Sequence, residues 1–371
     1  MKANLLDRAI EWVAPRHGAS RMRARMALAA VRGFDGAKRG PRAAGWRTSG
    51  ASSLATLMPS LATLRNRARD LVVNNSHLRR ALRVMVANAI GTGIQAKFKS
   101  KKQQQVFKRW VKYCDADGLL DFFGLQAKAY RAMKLSGEVL VRFRRRRPGD
   151  GYEVPLQIQI LEIDYLDSLK VGEVDGGFIL AGVQFNLIGQ RVGYWLFDQH
   201  PGEVAQVPKN LTSRFVPASE VLHIFDAIDR PNSVRGFPWL ASAIWAARDL
   251  DEYQDAERIR KKIEACFAVF VKSNDEQFRA GMPGMSNPGD DRRVESLSPG
   301  MIEYLRSDED VQFAAPATND GYEAGVRIDL RAIAAGTDTT YEQLTGDYSQ
   351  VNFTSGRMGK MEFNRMLLQE L

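Results

Sequence analysis

The hydrophobic period changes twice along this chain, and each change restricts what the surrounding segment can become. Between residues 54 and 90 the apolar residues Leu57, Leu61, Leu64, Ala68, Leu71 and Val72, then Leu78, Leu82, Met85, Val86 and Ala89, recur at steps of three and four. That spacing predicts two amphipathic helices, parted near Asn74 and Asn75, with Ser76 placed to cap the second. From Glu138 the period drops to two: Val139, Val141 and Phe143 alternate with Leu140, Arg142 and Arg144. After a Pro-Gly-Asp-Gly turn at residues 148–151, Leu156, Ile158 and Ile160 alternate with Gln157 and Gln159, so a paired, half-buried sheet is expected. After Pro238 the helical period returns in one stripe of Leu240, Ala243, Ile244, Ala247, Leu250, Tyr253, Ala256, Ile259 and Ile263. Helices followed by strands followed by helices predict an α+β architecture.

The intervening segments fit the same scheme. Residues 94–98 alternate as a strand should, 103–114 and 122–135 read as helices, and 178–187, 191–197 and 221–225 read as further strands, the first two joined as a hairpin around Gly189 and Gln190. Along the helix after Pro238, acidic residues precede basic ones, which complements the helix dipole, and Glu257 with Lys261 makes an i,i+4 pair. Residues 265–272, 301–305 and 311–313 are strand-like, around a Gly- and Pro-rich excursion at 281–289. Tyr322, Val326, Leu330 and Ile333 restart a helix that Gly336 ends. A last helix, with Thr354 or Ser355 as its cap, carries Met358, Met361, Met366, Leu367 and Leu371 and has no stop signal, as expected of an exposed terminus or of a piece of a longer protein. Between these two helices lies a polar segment, 344–355, longer than the roughly 2–8 residues that ordinarily join helices.

Charge divides the chain. Residues 1–150 hold 32 Lys and Arg against 9 Asp and Glu, net +23, and the remainder holds 21 against 34, net −13. A basic arm at residues 1–53, with Arg21, Arg23 and Arg25, and the run Arg144, Arg145, Arg146 and Arg147 are candidate contacts for DNA or for a capsid surface; the run also reads as a solvated strand tip. Cys114 and Cys266 stand apart in apolar surroundings and the four histidines are scattered, so reduced structural thiols, no disulfide framework, no metal site and no cofactor are expected, as in an intracellular assembly compartment. No apolar run approaches the roughly 18 residues of a membrane span, and residues 1–15 lack the pattern of a secretory signal.

Catalytic apparatus is not visible. Gly356, Gly359 and Lys360 lack the spacing of a phosphate-binding loop, and neither a G-x-S-x-G elbow nor an H-E-x-x-H pair occurs. Asp249 with Glu252, or Asp226 with Asp229, could hold Mg²⁺ in a nuclease, although carboxylates so placed also read as solvated faces. A metal-dependent nuclease and a monomeric basic DNA-binding module are the alternative readings.

Three segments together are more specific: Val234-Arg-Gly-Phe-Pro-Trp-Leu240 running into Arg248-Asp-Leu-Asp-Glu-Tyr-Gln-Asp-Ala-Glu257, then Pro299-Gly-Met-Ile-Glu-Tyr-Leu305, then Leu344-Thr-Gly-Asp-Tyr-Ser-Gln-Val-Asn-Phe-Thr-Ser355. In this order they resemble the portal proteins of lambda-type tailed bacteriophages, as do Leu64-Arg-Asn-Arg-Ala-Arg-Asp-Leu71 and Asn88-Ala-Ile-Gly-Thr-Gly-Ile94. The resemblance implies a portal fold: an α/β wing over 54–238, antiparallel stem helices over 239–265 and 321–343, a small α/β clip over 266–320, a tunnel loop over 344–355, and the start of a long wing helix over 356–371, with the crown outside this sequence. It implies a ring of about twelve copies, closed head to tail, at one capsid vertex of the virion, assembled in the host cytoplasm. Double-stranded DNA would be packaged and ejected through it. The terminase large subunit, then head-completion and tail adaptor proteins, would dock on it, alongside major capsid and scaffold proteins. Asp347, Tyr348, Ser349, Gln350, Val351 and Asn352 would then line the DNA passage. Phe353 is expected to pack the loop against its neighbouring helix, and Tyr348 either packs or touches DNA. DNA carries one charge per about 1.7 Å of axis, so a mostly polar or acidic lining is expected where the genome must slide.

Overall fold

The computed structural model describes residues 48–204, 211–226, 230–265 and 321–370, the backbone of 269–272 and 302–305, and Trp12, Ala14, Pro15 and His17. Arg21, Arg23 and Arg25, Cys266, the segment 281–289 and the strand expected at 311–313 lie outside the described residues. Residues 1–52 and 53–371 form two compact units.

Two helices, α1 (Ser53–Asn74) and α2 (Ser76–Ala89), open the second unit. The residue that caps α2 is Asn75, not Ser76: its side-chain oxygen accepts the Leu78 N–H at 3.0 Å, while its amide donates to Asp251 at 2.9 Å. Helices α3 (Lys101–Trp110) and α4 (Phe122–Ser136) follow. Residues 94–98 form no strand; Gln126 instead bonds both the N–H and the carbonyl of Ile94, so those backbone groups are satisfied by a side chain rather than a ladder.

Strands β1 (Glu138–Arg145) and β2 (Leu156–Glu162) pair as their alternation requires, with Val141 opposite Ile160. Four short or medium strands follow: β3 (Gly172–Val174), β4 (Gly177–Leu180), β5 (Val183–Asn186) and β6 (Arg191–Phe197). With β7 (Ser213–Pro217) they form a five-stranded antiparallel meander. The single strand expected over 178–187 is thus two strands, because Ala181 and Gly182 both take positive φ, 48° and 84°, and turn the chain back. Strand β8 (Val221–Phe225) adds to the free edge of β1, giving the order β2-β1-β8.

The three-stranded sheet is covered on both faces over residues 138–141 rather than half-buried. Leu140, Leu161 and Val221 pack against Val183, Phe185, Tyr194, Leu196 and Val216 of the meander. Val141 and Ile158 pack on Trp110, Cys114 and Leu125 from the other side. Cys114 is buried, and burial pushes its thiol up to about 11.

The long helix α5 (Ile244–Ala265) is preceded by one 3₁₀ turn, Trp239–Ser242, so the helix expected from residue 239 starts at Ile244. Its partner α6 (Tyr322–Gly336) runs antiparallel: Ser242 donates to the Gly336 carbonyl at 2.8 Å, and Tyr253 meets Tyr322 at the far end. The apolar stripe of α5 holds only to Leu250. Ala256 is exposed and Ile259 is 57% exposed. Glu257 bonds Arg260 at i,i+3 instead of Lys261, whose ammonium lies 5.3 Å from the Tyr322 ring. The helix expected over 321–343 breaks after Gly336, and a short helix α7 (Tyr341–Thr345) precedes α8 (Phe353–Glu370). Leu240, Ala247, Leu250, Ile333 and Leu344 share one core with α1 and α2, while Phe363 and Leu367 tie α8 to Met85 and Tyr130. Strands β9 (Val269–Lys272) and β10 (Ile302–Leu305) pair in parallel, with Ile302 opposite Val269.

Candidate nucleic-acid interface

The loop between α7 and α8 is confined to residues 346–352, because helices occupy both ends of the segment expected to be irregular. Its first end is fixed by chemistry in the sequence. Thr340 and Gln343 form a reciprocal capping box at the start of α7, Leu344 is fully buried, and Gly346 at φ 80° ends the helix with its N–H on the Glu342 carbonyl. Arg80 of α2 donates to the Gln343 carbonyl at 3.0 Å. Its guanidinium lies so close to Gly346 that a Cβ there would meet it at 3.0 Å.

Within the loop two polar side chains are committed to the backbone. Asp347 accepts the Ser349 N–H at 3.0 Å, and hydrogen bonds from Ser349 hold its carboxyl below the usual range. Asn352 accepts the Ser355 N–H at 2.8 Å while the Asn352 N–H reaches the Ser355 hydroxyl, so Asn352 caps α8 in place of Thr354 or Ser355. Tyr348, Ser349 and Gln350 face solvent, Tyr348 at 59% exposure, and Val351 is half-buried. Phe353, expected to pack, is 84% exposed: it opens α8 on the solvent side, and Val351 does the packing instead, beside Gly356.

The arginine run divides by strand alternation. Arg144 donates to Gln159 and Arg146 to Gln157, each held along the cross-strand partner, whereas Arg145 and Arg147 are exposed. The run is therefore half anchored and half available, and the structure does not bring it to the loop residues. Of the carboxylates considered for metal, Glu252 is engaged by Arg248 at 2.8 Å and Asp249 stands exposed on the same helix; Asp229 lies outside the described residues. One cluster, Glu162, Asp164 and His200, has ligand atoms close enough to converge, but Arg69 pairs with both carboxylates and Arg65 with Asp164. Those carboxylates are neutralised by arginine.

Sequence reasoning missed a buried ionic hub. Glu138, fully buried at the start of β1, accepts from Arg235 at 2.6 Å, Arg65 at 3.0 Å, His223 at 2.9 Å and the Gly236 N–H at 3.2 Å. Burial pushes the Glu138 carboxyl up, but Arg235 and His223 more than offset it and hold it well below the usual range. Arg235 also donates to Ser168 and to the carbonyl of Ala181, the strained turn residue of the meander. Gly236 follows for a steric reason: a Cβ there would lie 2.3 Å from the Gly137 carbonyl oxygen. The Arg-Gly-Phe-Pro-Trp sequence thus joins both sheets to the start of α5. A signal existed in Arg65, a charge at a stripe position of α1 between Leu61 and Ala68.

A family model described as phage portal protein, lambda family, matches residues 39–370. The chain belongs to that family. Among its relatives are a probable portal protein of Halomonas phage phiHAP-1, 27% identical over 81% of this chain and 61% of its own length, and the portal protein of Escherichia phage N15, 24% identical over 89% and 68%. Portal protein B of Escherichia phage lambda is 24% identical over 49% of this chain and 38% of its own. The chain therefore spans about three fifths of the Halomonas phage relative. A solved structure, the neck of a native GTA particle computed with C12 symmetry, aligns with 83% of this chain and 75% of its own at 14% identity and a TM-score of 0.45.

Proposed function

We propose that this chain is the wing, stem, clip and loop portion of a portal subunit, repeated head to tail in a ring of about twelve at one capsid vertex. The observation that carries the reading is the family match across residues 39–370. The antiparallel α5 and α6 pair supports it, since Trp245, Ile259 and Ile328 are each more than half exposed on those helices in the single chain and a neighbouring copy would cover them. Double-stranded DNA passes through the ring inward during packaging and outward at ejection. The terminase motor, then head-completion and tail adaptor proteins, dock at the clip end, and capsid and scaffold proteins meet the wing.

The mechanism is positional. Tyr348, Ser349 and Gln350 offer neutral contacts to phosphate and sugar, which position the duplex without reading its sequence. Asp347 repels the backbone and shapes the turn that presents them. Negative-stain images and native mass of the purified chain test the reading. A ring of about twelve with a central hole is expected, and a monomer at assembly concentrations overturns it.

A further inference from the structure

Beside the loop, α2 carries a concentration of positive charge that its own helix does not favour. Arg79, Arg80 and Arg83 occupy its first turns, at the positive end of the helix dipole, with no acidic residue in the first turn. Arg131 of α4 lines, with Arg79, a separate depression that also holds Glu138 and Glu162. Burial lowers the pKa of its guanidinium, and the nearby charges of Arg79 and Arg83 lower it further. Among the described residues no carboxylate lies within ion-pair distance of Arg79, Arg83 or Arg131, although Arg65, Arg69 and Arg109 elsewhere in the same unit are all paired. Like charge at a helix start is unfavourable, and an anion seated among these guanidinium groups would relieve it.

The surroundings give that anion room and a direction. A depression of about 450 Å³ is lined by Ser76, Arg79, Arg80, Arg83, Ala87 and Asn88. Asn88 and Val84 also line the adjoining cavity of about 370 Å³ that reaches Tyr348, Val351 and Lys360. One groove therefore runs from the arginines to the loop. Arg80 links the two mechanically: it lines the depression, and its Nε holds the Gln343 carbonyl at the base of the loop.

We propose that Arg79 and Arg83 form a phosphodiester-binding site for the DNA backbone, contiguous with the loop and coupled to it through Arg80. The site is sequence-independent, because guanidinium groups meeting phosphates carry no base readout. Its sign gives it a task different from that of the neutral loop tip. A cationic contact resists sliding, so it holds a resting duplex, while Tyr348 and Gln350 accompany a moving one. The assignment rests on the portal reading for its occupant, DNA, and not for its chemistry.

The test compares the intact chain with R79Q/R83Q, and with K101Q/K102Q as a charge-matched control away from the groove, using a fluorescent duplex of about 30 base pairs and arbitrary sequence over a salt series. Neutralising one phosphate-binding arginine reduces the slope of log K against log salt by about 0.9, so the first variant falls roughly 2 units below the control. R79K/R83K restores most of that difference. All four residues are exposed, and a thermal melt checks that each variant folds. An R79Q/R83Q slope equal to that of the control overturns the site. So does disappearance of the ring by native mass in R79Q/R83Q and not in K101Q/K102Q, which would give the groove to an acidic face of a second copy. Absence of a ring in the unmodified chain overturns the portal reading instead, and leaves the slope comparison intact.

Discussion

Arg235 and Glu138 meet at 2.6 Å with both side chains withdrawn from water, 97 positions apart in the chain. One partner begins the central sheet and the other stands just before the stem, so this pair sets the position of one against the other. Buried pairs of this kind contribute little net stability when intact, but removing one partner strands a charge, which costs about 3–5 kcal/mol.

Arg235→Met therefore lowers the unfolding free energy by about 3–5 kcal/mol, read as a fall in the urea midpoint at constant slope. Arg145→Met on the exposed strand tip changes it by less than about 0.5 kcal/mol. Equal midpoints for the two variants would show that the hub does not hold the sheets to the stem.

His223 makes the hub sensitive to acid. Arginine has no acceptor, so Arg191 Nη1 must donate to Nδ1, and the neutral ring donates its Nε2–H to Glu138 in a hydrogen bond. Burial holds the folded pKa below the ordinary 6.5 despite Glu138. Below pH 6.5 the unfolded chain binds a proton that the folded chain refuses, so stability is complete above that pH and declines as pH falls. The melting temperature of H223Q, whose amide can replace the Nε2 donor, declines less steeply from about pH 6.5 to about pH 5 than that of the parent. A residual slope remains, because burial also lowers the pKa of His77.

The loop residues separate by task. Asn352→Ala removes the cap of α8 and costs about 1 kcal/mol, seen as faster amide exchange in the first turn of that helix. Tyr348→Ala changes stability by less than about 0.5 kcal/mol, since the side chain is 59% exposed, and it reduces DNA retention in assembled rings. Exchange rates unchanged in N352A would show that the cap does not hold α8.

Gly236→Ala places a methyl group against the Gly137 carbonyl, and the obstacle is backbone. The cost is about 1–3 kcal/mol of overpacking, measured by thermal melting. Gly149→Ala, where a Cβ meets nothing within 4 Å, is the matching near-neutral change.

Much of the fold was legible because periodicity is a local property. The stripes of α1, α2 and the first half of α5, the pairing of β1 with β2, and the Gly336 stop follow from side-chain spacing alone. Where spacing failed, a distant partner had intervened. The stripe of α5 leaves the core after Leu250, and β4 and β5 separate at a strained Ala181 whose carbonyl is held by Arg235. In the loop, sequence marked the right segment but not the division of labour. Asn352 and Asp347 look as available as Tyr348 until the backbone groups they satisfy are seen.

By itself, the sequence determined the stripes of α1, α2 and the first half of α5, the pairing of β1 with β2, the charge division and the family motifs, since each depends on residues near one another in the chain. Tertiary structure alone decided that Arg65 is buried on Glu138 and that Asn75 rather than Ser76 caps α2. It also decided that Arg79 and Arg83 line a groove beside the loop, with Arg131 of another helix near enough to feel their charge. These outcomes depend on which charges the folded chain brings within a few ångströms, and electrostatic free energy is set by distance and burial in space, not by separation along the sequence.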